Sequence, residues 1–506
     1  MADRPNILLV MADQLGACHL PAYGHPLVQA PHLDRLAAGG AVFEHAYCSS
    51  PLCAPSRASL LTGQLPSRTG VYDNAAELPA STPTVVHRLR ASGYATALAG
   101  KMHFVGPDQL HGYEQRLTSD IYPAGFTWTP DWRVEPDGRL SWYHNMTSLR
   151  ETAVTEGATQ TDYDDEVAFA GCRLLRDLSR QPGRRPFFAT VSFTNPHDPW
   201  EVRRRHWDLY DDADIELPAV PALPREQADP HSLRLREMIG SDRQPLDDNE
   251  VRRARHGFYA AISYVDERIG ELLSVLDDTG LADDTVVVFT SDHGEMLGER
   301  GLWYKMTFFD PAARVPLIVR GPGVAAGRRP GCVSQLDLAP TLCELAGIEP
   351  DEPFAGVSLA GVLAGTVPGP DLAVGEYLAE GAVAPEVMIR RGRHKFLHAP
   401  GDPDRLYDLE ADPLELDDLA GRSESAELLA RFRAEVAERW NLQQLERDVL
   451  ESQRRRRLVA DALFRGAHTP WDFQPHSDAG WEWVRGDEAA NPRPASLRPR
   501  GTLPEE

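Results

Sequence analysis

The residues best equipped for chemistry lie in one short stretch, Ser50-Pro51-Leu52-Cys53-Ala54-Pro55-Ser56-Arg57-Ala58-Ser59-Leu60-Leu61-Thr62-Gly63. It reads as a loop running into a helix. Pro55 suits the first helical turn, where a missing N–H costs nothing. Gly63 suits the position just past the helix end. Cys53 then sits at the helix N-terminus, where free N–H groups and a dipole of about half a positive charge attract anions. Arg57, four residues on, shares that face and can fork onto an anion's oxygens. Two readings stay open here: a reactive group facing an anion, or a buried inert thiol, the usual fate of a free cysteine.

Four apolar runs end on residues that suit the first reading. Residues 6–11 read as a buried parallel strand, with Asp13 and Gln14 at its C-terminal end. Asp13 is a hard oxygen donor for a cation. Residues 94–99 lead into Gly100-Lys101-Met102-His103, and the spacing of two predicts an extended backbone pointing Lys101 and His103 the same way. Residues 187–193 precede His197, and 286–289 precede Asp292 and His293. Lys305 follows the turn-like Gly298-Glu299-Arg300-Gly301. Each of these residues alone is an ordinary cap, turn or loop residue. Open α/β sheets bind ligands at the C-terminal strand edge, so their convergence there raises the standing of each.

The connecting segments fit an α/β body. Val167, Leu174, Leu175 and Leu178 share a face of a helix over 164–180, and Ile262, Val265, Ile269, Leu272 and Leu276 one over 250–279. Thr82 is the expected N-cap of a further helix, with Pro83 in its first turn and Gly93 closing it. Residues 104–160 lack periodicity but hold Tyr122, Phe126, Trp128, Trp132, Trp142 and Tyr143, which predicts an ordered insertion over the active edge. Residues 200–245 read as a surface excursion rich in proline and charge. Beyond about 370 come short strands near 386–397 and 404–409 and a helix over 426–440. The expected organisation is a large α/β domain over 1–370, a small α+β subdomain over 371–440, and a tail over 441–506 that wraps the body or contacts another subunit. The run Arg454 to Arg457 reads as a solvated helix face or a subunit contact.

The chain has 506 residues and a formal net charge of −24. That balance argues against nucleic-acid or anionic-membrane partners, which need basic patches. No basic segment followed by an apolar run and a cleavage site opens the sequence, and no run approaches transmembrane length, so a soluble cytoplasmic protein is expected. The six cysteines are scattered without disulfide or zinc spacing.

Cys53-Ala54-Pro55-Ser56-Arg57, extended through Leu60-Leu61-Thr62-Gly63, resembles the Cys-x-Pro-x-Arg signature of type I sulfatases. The resemblance covers nearly the whole chain and implies the mixed sheet sandwiched by helices of the alkaline-phosphatase/sulfatase fold. In that family a formylglycine-generating enzyme oxidises the cysteine to formylglycine. Its hydrated aldehyde attacks sulfur through one hydroxyl and later expels sulfate through the other, so one hard step becomes two easier ones. By position, the resemblance implies that Asp13, Gln14, Asp292 and His293, with residue 53, hold a divalent cation. Oxygen-rich ligation suggests Ca²⁺, and one histidine leaves Mn²⁺ or Mg²⁺ open. It further implies that Arg57 holds the diol, that Lys101, His197 and Lys305 bind sulfate, and that His103 acts as the base.

Further stretches are similar to choline sulfatases: Leu65-Pro66-Ser67-Arg68, Val71 to Glu77, Gly106 to Gly112, Tyr143-His144-Asn145, Glu376-Tyr377 with Glu380, and Pro470-Trp471-Asp472 with Gln474-Pro475. This implies choline-O-sulfate as substrate and a homo-oligomer, dimer or tetramer. The quaternary ammonium has no hydrogen to donate and is held by aromatic faces and a carboxylate, at about 0.5–2 kcal/mol per cation–π contact. Trp128 matches the aromatic wall, and Asn74, His144 and Glu380 match polar residues around it. Asp487 is an acidic residue available from the tail. Phosphonate monoester hydrolases share the Asp-Gln and Asp-His pairs, so a phosphonate or phosphate ester hydrolase and an aryl sulfatase are the alternatives; Lys101-x-His103 leans toward sulfate esters. A non-catalytic choline-binding protein is the reading outside enzymology.

Overall fold

The computed structural model describes residues 4–134, 144–181, 183–467 and 471–472. Trp142, Tyr143, Gln474-Pro475 and Asp487 lie outside them. Among the described residues the main sheet has nine strands. At its centre β1 (Asn6–Ala12), buried along its whole length, lies between two other strands. It pairs in parallel with β4 (Phe187–Ser192) on one side and β5 (Thr285–Ser291) on the other. Beyond β4 comes β3 (Ala95–Gly100), also parallel, then the short strand Gln115–Arg116. Beyond β5 the order is β6 (Leu317–Arg320), antiparallel, then β2 (Ala41–Tyr47) and β7 (Gly327–Ser334); Arg314–Val315 also pairs with β2. The apolar runs are near-continuous because helices cover both faces of a parallel sheet.

Two long helices on that sheet are α3 (Thr159–Ser179) and α5 (Asp248–Asp278). The second starts at a reciprocal cap: Asp247 accepts the N–H groups of Asn249 and Glu250 at 2.9 and 2.8 Å, and Glu250 accepts that of Asp247 at 3.0 Å. A second, four-stranded antiparallel sheet runs β8 (Leu372–Tyr377), β9 (Glu386–Arg391), β10 (His394–His398) and β11 (Arg405–Asp408). Leu429, Phe432 and Val436, at helical spacing on α6 (Ala426–Arg439), close its own apolar cluster with Val387, Ile389, Phe396 and Leu406.

Four expectations are corrected. The helix after Thr82 is α2 (Val85–Ala91), and its N-cap is Thr84, whose hydroxyl accepts the His87 N–H at 3.3 Å, leaving Thr82 in the preceding turn. Residues 200–245 are more than a surface excursion. They include α4 (Pro230–Ile239), capped by Asp229, which buries Leu235, Met238 and Ile239 at three-and-four spacing. The backbone at His103 is left-handed, φ 56°, not extended. The basic run lies on α7 (Leu442–Leu463), where Arg454 pairs with Glu451 on the surface but Arg456 is buried and reaches Asp73. Composition hides this because the charge it meets is far away in the chain.

Candidate active site

The ten residues of α1 (Cys53–Thr62) are all buried, at the C-terminal edge of the sheet. Gly63 ends the helix with φ 64° and donates its N–H to Ser59 O at 2.8 Å. Leu52 supplies no cap at the other end. Asn74 does so instead, its Oδ1 accepting the Ala54 N–H at 2.9 Å. Ser56 pins the helix to the end of β5, donating to Asp292 O at 2.6 Å and Gln335 Oε1 at 2.8 Å. The sequence position of Cys53 thereby becomes a fixed point in space.

Around Cys53 the strand ends converge. Its sulfur lies 3.2 Å from His293 Nε2 and 3.8 Å from Asp13 Oδ1. Ligand atoms of Asp13, Cys53, Asp292 and His293 all lie within 4.8 Å of one another. His293 Nδ1 faces Gly294 O at 3.0 Å; a carbonyl only accepts, so Nδ1 carries the proton and Nε2 turns its lone pair to the cluster. Burial holds the imidazole down to about 4, which keeps it neutral. This donor set fits one divalent cation.

The counter-charges are as tightly placed. Arg57 Nε donates to Asp292 Oδ2 at 2.8 Å and Nη2 to Asp13 Oδ2 at 3.3 Å. Its Nη1 serves Lys101 O at 2.5 Å and Ser192 Oγ at 2.8 Å. Lys101 Nζ binds Asp13. Burial works against the Asp13 charge, but Lys101 and Arg57 beside it outweigh that and hold its carboxyl well below the usual range. Lys305 Nζ donates to Gln14 Oε1 and, at 2.8 Å, to His197 Nε2, whose Nδ1 donates to Asp198 O at 2.7 Å. Burial and Lys305 keep His197 neutral, well below its ordinary value. Two carboxylates thus face three cations. Asp198 and Glu295, one layer further out, are both pushed up by burial, Glu295 to about 7. In the innermost layer Arg57, Lys101 and Lys305 outnumber the carboxylates Asp13 and Asp292 by one, and in a dry surrounding such an arrangement favours an anion.

The thiol itself is a poor nucleophile here. Burial and Asp13 push it up to about 11, so little thiolate exists at neutral pH. Backbone strain collects at the same place: Gln14 and His103 have φ of 65° and 56°, and Tyr304 and Met306 flanking Lys305 have 68° and 74°. Gly100 is required where β3 delivers Lys101, since with its φ of 102° a Cβ would collide with Ser192 O.

An aromatic and polar wall stands beside the charged cluster. Neither ring nitrogen of His103 has a hydrogen-bond partner among the described residues. Burial and Lys101 lower its pKa to about 3. The ring lies 5.2 Å from Tyr122 and 5.9 Å from Trp128, and Lys101 Nζ sits 4.3 Å above the Tyr122 ring. His144 Nδ1 is 4.0 Å from Glu380 Oε1, both buried, and its ring is 4.9 Å from Tyr304.

A model described as Sulfatase matches residues 5–348. The chain belongs to the sulfatase family. Models for the C-terminal region of N-sulphoglucosamine sulphohydrolase and for the choline sulfatase C terminus match 298–442 and 447–489. The chain is 49% identical to a choline-sulfatase of Rhizobium meliloti over 98% of its own length and 99% of that protein's. It is 31% identical to the iduronate 2-sulfatase of Homo sapiens over 64% of this chain and 61% of that one. A crystal structure of the phosphonate monoester hydrolase of Agrobacterium radiobacter superposes with TM-score 0.71 and 26% identity, covering 86% of this chain and 95% of that one.

The sulfatase scaffold brings Asp13, Gln14, Cys53, Arg57, Lys101, His197, Asp292, His293 and Lys305 into one cluster. Trp128 reaches it through His103, while His144 and Glu380 form a second pair next to Tyr304. Asn74 meets α1 at the Ala54 N–H. Sequence reasoning missed Ser192, Tyr122, Glu295 and Asp198 as site residues. Glu295 accepts from Gln14 Nε2 at 2.5 Å and from the Leu297 and Tyr304 N–H groups at 2.8 and 2.6 Å, fixing both Gln14 and the loop before Lys305. Its place three residues after Asp292 was the available signal. Tyr122 stood out only as one aromatic among several.

Proposed function

We propose that this sulfatase hydrolyses choline-O-sulfate to choline and sulfate. The observation that carries the reading is the buried cluster of Arg57, Lys101 and Lys305 around Cys53, flanked by Trp128 and the His144–Glu380 pair. The near-full-length similarity to a choline-sulfatase supports it. The Cys53 sulfur stands where the oxygens of a formylglycine diol would be, and the inert thiol supports a need for that modification by a formylglycine-generating enzyme. Asp13, Gln14, Asp292 and His293 would hold a divalent cation, Ca²⁺ on the oxygen-rich donor set with Mn²⁺ or Mg²⁺ as alternatives. That ion would polarise a sulfate oxygen and favour ionisation of the diol.

The chain's own residues do the rest in this reading. Arg57 fixes the orientation of residue 53 by anchoring both metal-side carboxylates. Lys101 and Lys305 take the sulfate oxygens and offset charge developing on the leaving oxygen, and neutral His197, its Nε2 accepting from Lys305 Nζ, orients that ammonium toward the sulfate. His103, neutral and with both nitrogens unengaged, moves the proton at residue 53. Trp128 offers its face to the ammonium, and Asn74, His144 and Glu380 supply the polar rim. The catalytic unit is taken as 1–370, with 371–440 as a subdomain and 441–506 as the oligomer-contact tail. A homo-oligomer, dimer or tetramer, is part of the reading, supported by Leu458 and Val459 exposed on α7. So is a cytoplasmic location: all six cysteines are free, which suits a reducing compartment, and no described helix is long and apolar enough to cross a membrane.

A second reading, phosphonate monoester hydrolysis, is favoured by the structural similarity above and by the Asp13-Gln14 pair. The deciding experiment is kcat/KM on matured protein for choline-O-sulfate, 4-nitrophenyl sulfate and a phosphonate monoester. A preference of about 100-fold or more for choline-O-sulfate is expected from an ammonium pocket of several contacts. Equal or better turnover of the phosphonate would replace the first reading with the second.

A further inference from the structure

Helix α7 meets the site through one face. Gln453, Arg456 and Arg457 are three and four residues apart and so adjacent on the helix. Gln453 Oε1 accepts the Trp132 N–H at 3.1 Å. Arg456 forks onto both Asp73 oxygens at 2.6 and 2.7 Å and donates to Thr129 Oγ1 at 3.2 Å. Arg457 pairs with Asp131. Asp73 is fully buried and Arg456 nearly so. A buried bidentate pair holds geometry far better than a surface pair.

The partners of these three residues are neighbours of the ammonium wall. Asp73 precedes Asn74, and Thr129 follows Trp128. Trp132 passes the contact on, its Nε1 donating to Ala379 O at 2.9 Å, one residue before Glu380. None of the hydrogen bonds that hold Lys101, His197 and Lys305, as described above, runs to α7. We propose that α7 is a strap, with Arg456 its central positioning residue, which sets the spacing of Asn74, Trp128 and Glu380 and thereby the affinity for the cationic end of the substrate. The strap governs recognition of the alcohol and leaves sulfate chemistry to the strand ends. This rests on the choline-O-sulfate reading. Gln453, Arg456 and Arg457 fall in the region matched by the choline sulfatase C-terminal model, whereas the sulfate-side residues all fall in the general sulfatase match.

The test uses full-length matured protein with Arg456→Met, Arg456→Lys and Thr129→Val. Thr129→Val leaves the Asp73–Arg456 pair intact and so guards against simple unfolding. Hydrogen exchange is read first. In Arg456→Met, segments 71–78 and 126–132 are expected to exchange about tenfold faster together, with β1 and β5 unchanged. Kinetics follow. KM for choline-O-sulfate is expected to rise about 5- to 30-fold, the loss of a well-placed cation–π contact, with kcat and the KM for 4-nitrophenyl sulfate changed less than about twofold. Arg456→Lys and Thr129→Val shift KM the same way by less. Wild-type exchange in both segments, or KM rising equally for both substrates, overturns the strap. If the wild type does not turn over choline-O-sulfate, the substrate reading falls, and the exchange data still judge the strap.

Discussion

Replacing Arg57 by lysine keeps the charge and removes the fork. The guanidinium spreads over two carboxylates, Asp13 and Asp292, and two neutral acceptors, Lys101 O and Ser192 Oγ, all in a fully buried setting. A lysine ammonium is a point charge on a different stem and can serve one side of that arrangement. Two hydrogen bonds to neutral acceptors are lost, at about 1 kcal/mol each, and one buried carboxylate loses its partner, at about 2 kcal/mol more. The expected destabilisation is about 4 kcal/mol. With a urea slope of about 4 kcal/mol/M for a chain of this size, the midpoint falls by about 1 M. Tryptophan fluorescence in urea measures this on unmodified protein, so the outcome does not depend on maturation of Cys53. Arg57→Ala falls further, because two buried carboxylates are then left to Lys101 alone. Matured Arg57→Lys should also lose at least about 100-fold in kcat, since residue 53 is no longer held. A midpoint within about 0.2 M of wild type, at unchanged slope, refutes the view that this guanidinium holds the strand ends together.

Two further outcomes are expected. Burial, reinforced by His25, lowers the pKa of His19 to about 3, below the ordinary 6.5. The unfolded chain therefore takes up this proton first, and the stability that His19 contributes is present above pH 6.5 and lost as pH falls toward 3. The stability gap between wild type and His19→Asn should shrink by about 1.4 kcal/mol per pH unit, about 2 kcal/mol between pH 6.5 and 5; a gap constant over that range contradicts a neutral buried imidazole. Chelation should lower the melting temperature of protein purified with Ca²⁺, since a ligand at about 100 times its Kd contributes about 2.7 kcal/mol. An unchanged melting curve after exhaustive chelation would argue against the Asp13–Asp292–His293 cluster as a cation site.

Much of the site was legible because strand ends are legible. The runs before Asp13, Lys101, His197 and Asp292 are apolar and short, and a parallel sheet sends all their C-termini to one edge. Long helices showed themselves by their period, and only the ends moved, as at Thr84, where a hydroxyl two residues along won the cap. Segments whose partners are distant were not legible. Helix α4 hid its buried face among prolines and charges, and Arg456 looked like its solvated neighbours.

The sequence alone determined which groups could react: the cysteine in its Cys-x-Pro-x-Arg setting, the cations and carboxylates that follow each strand, and the aromatic insertion. These are local properties of spacing, propensity and residue chemistry. Only the tertiary structure decided what state those groups hold. Burial holds His293 and His197 neutral, and a carbonyl at one ring nitrogen of each selects the tautomer. The thiol is inert because it is buried beside Asp13. Arg456 reaches Asp73 because α7 packs back across the body onto the segment that follows α1. Burial and long-range contact set charge and geometry, and neither is a property of any one stretch of sequence.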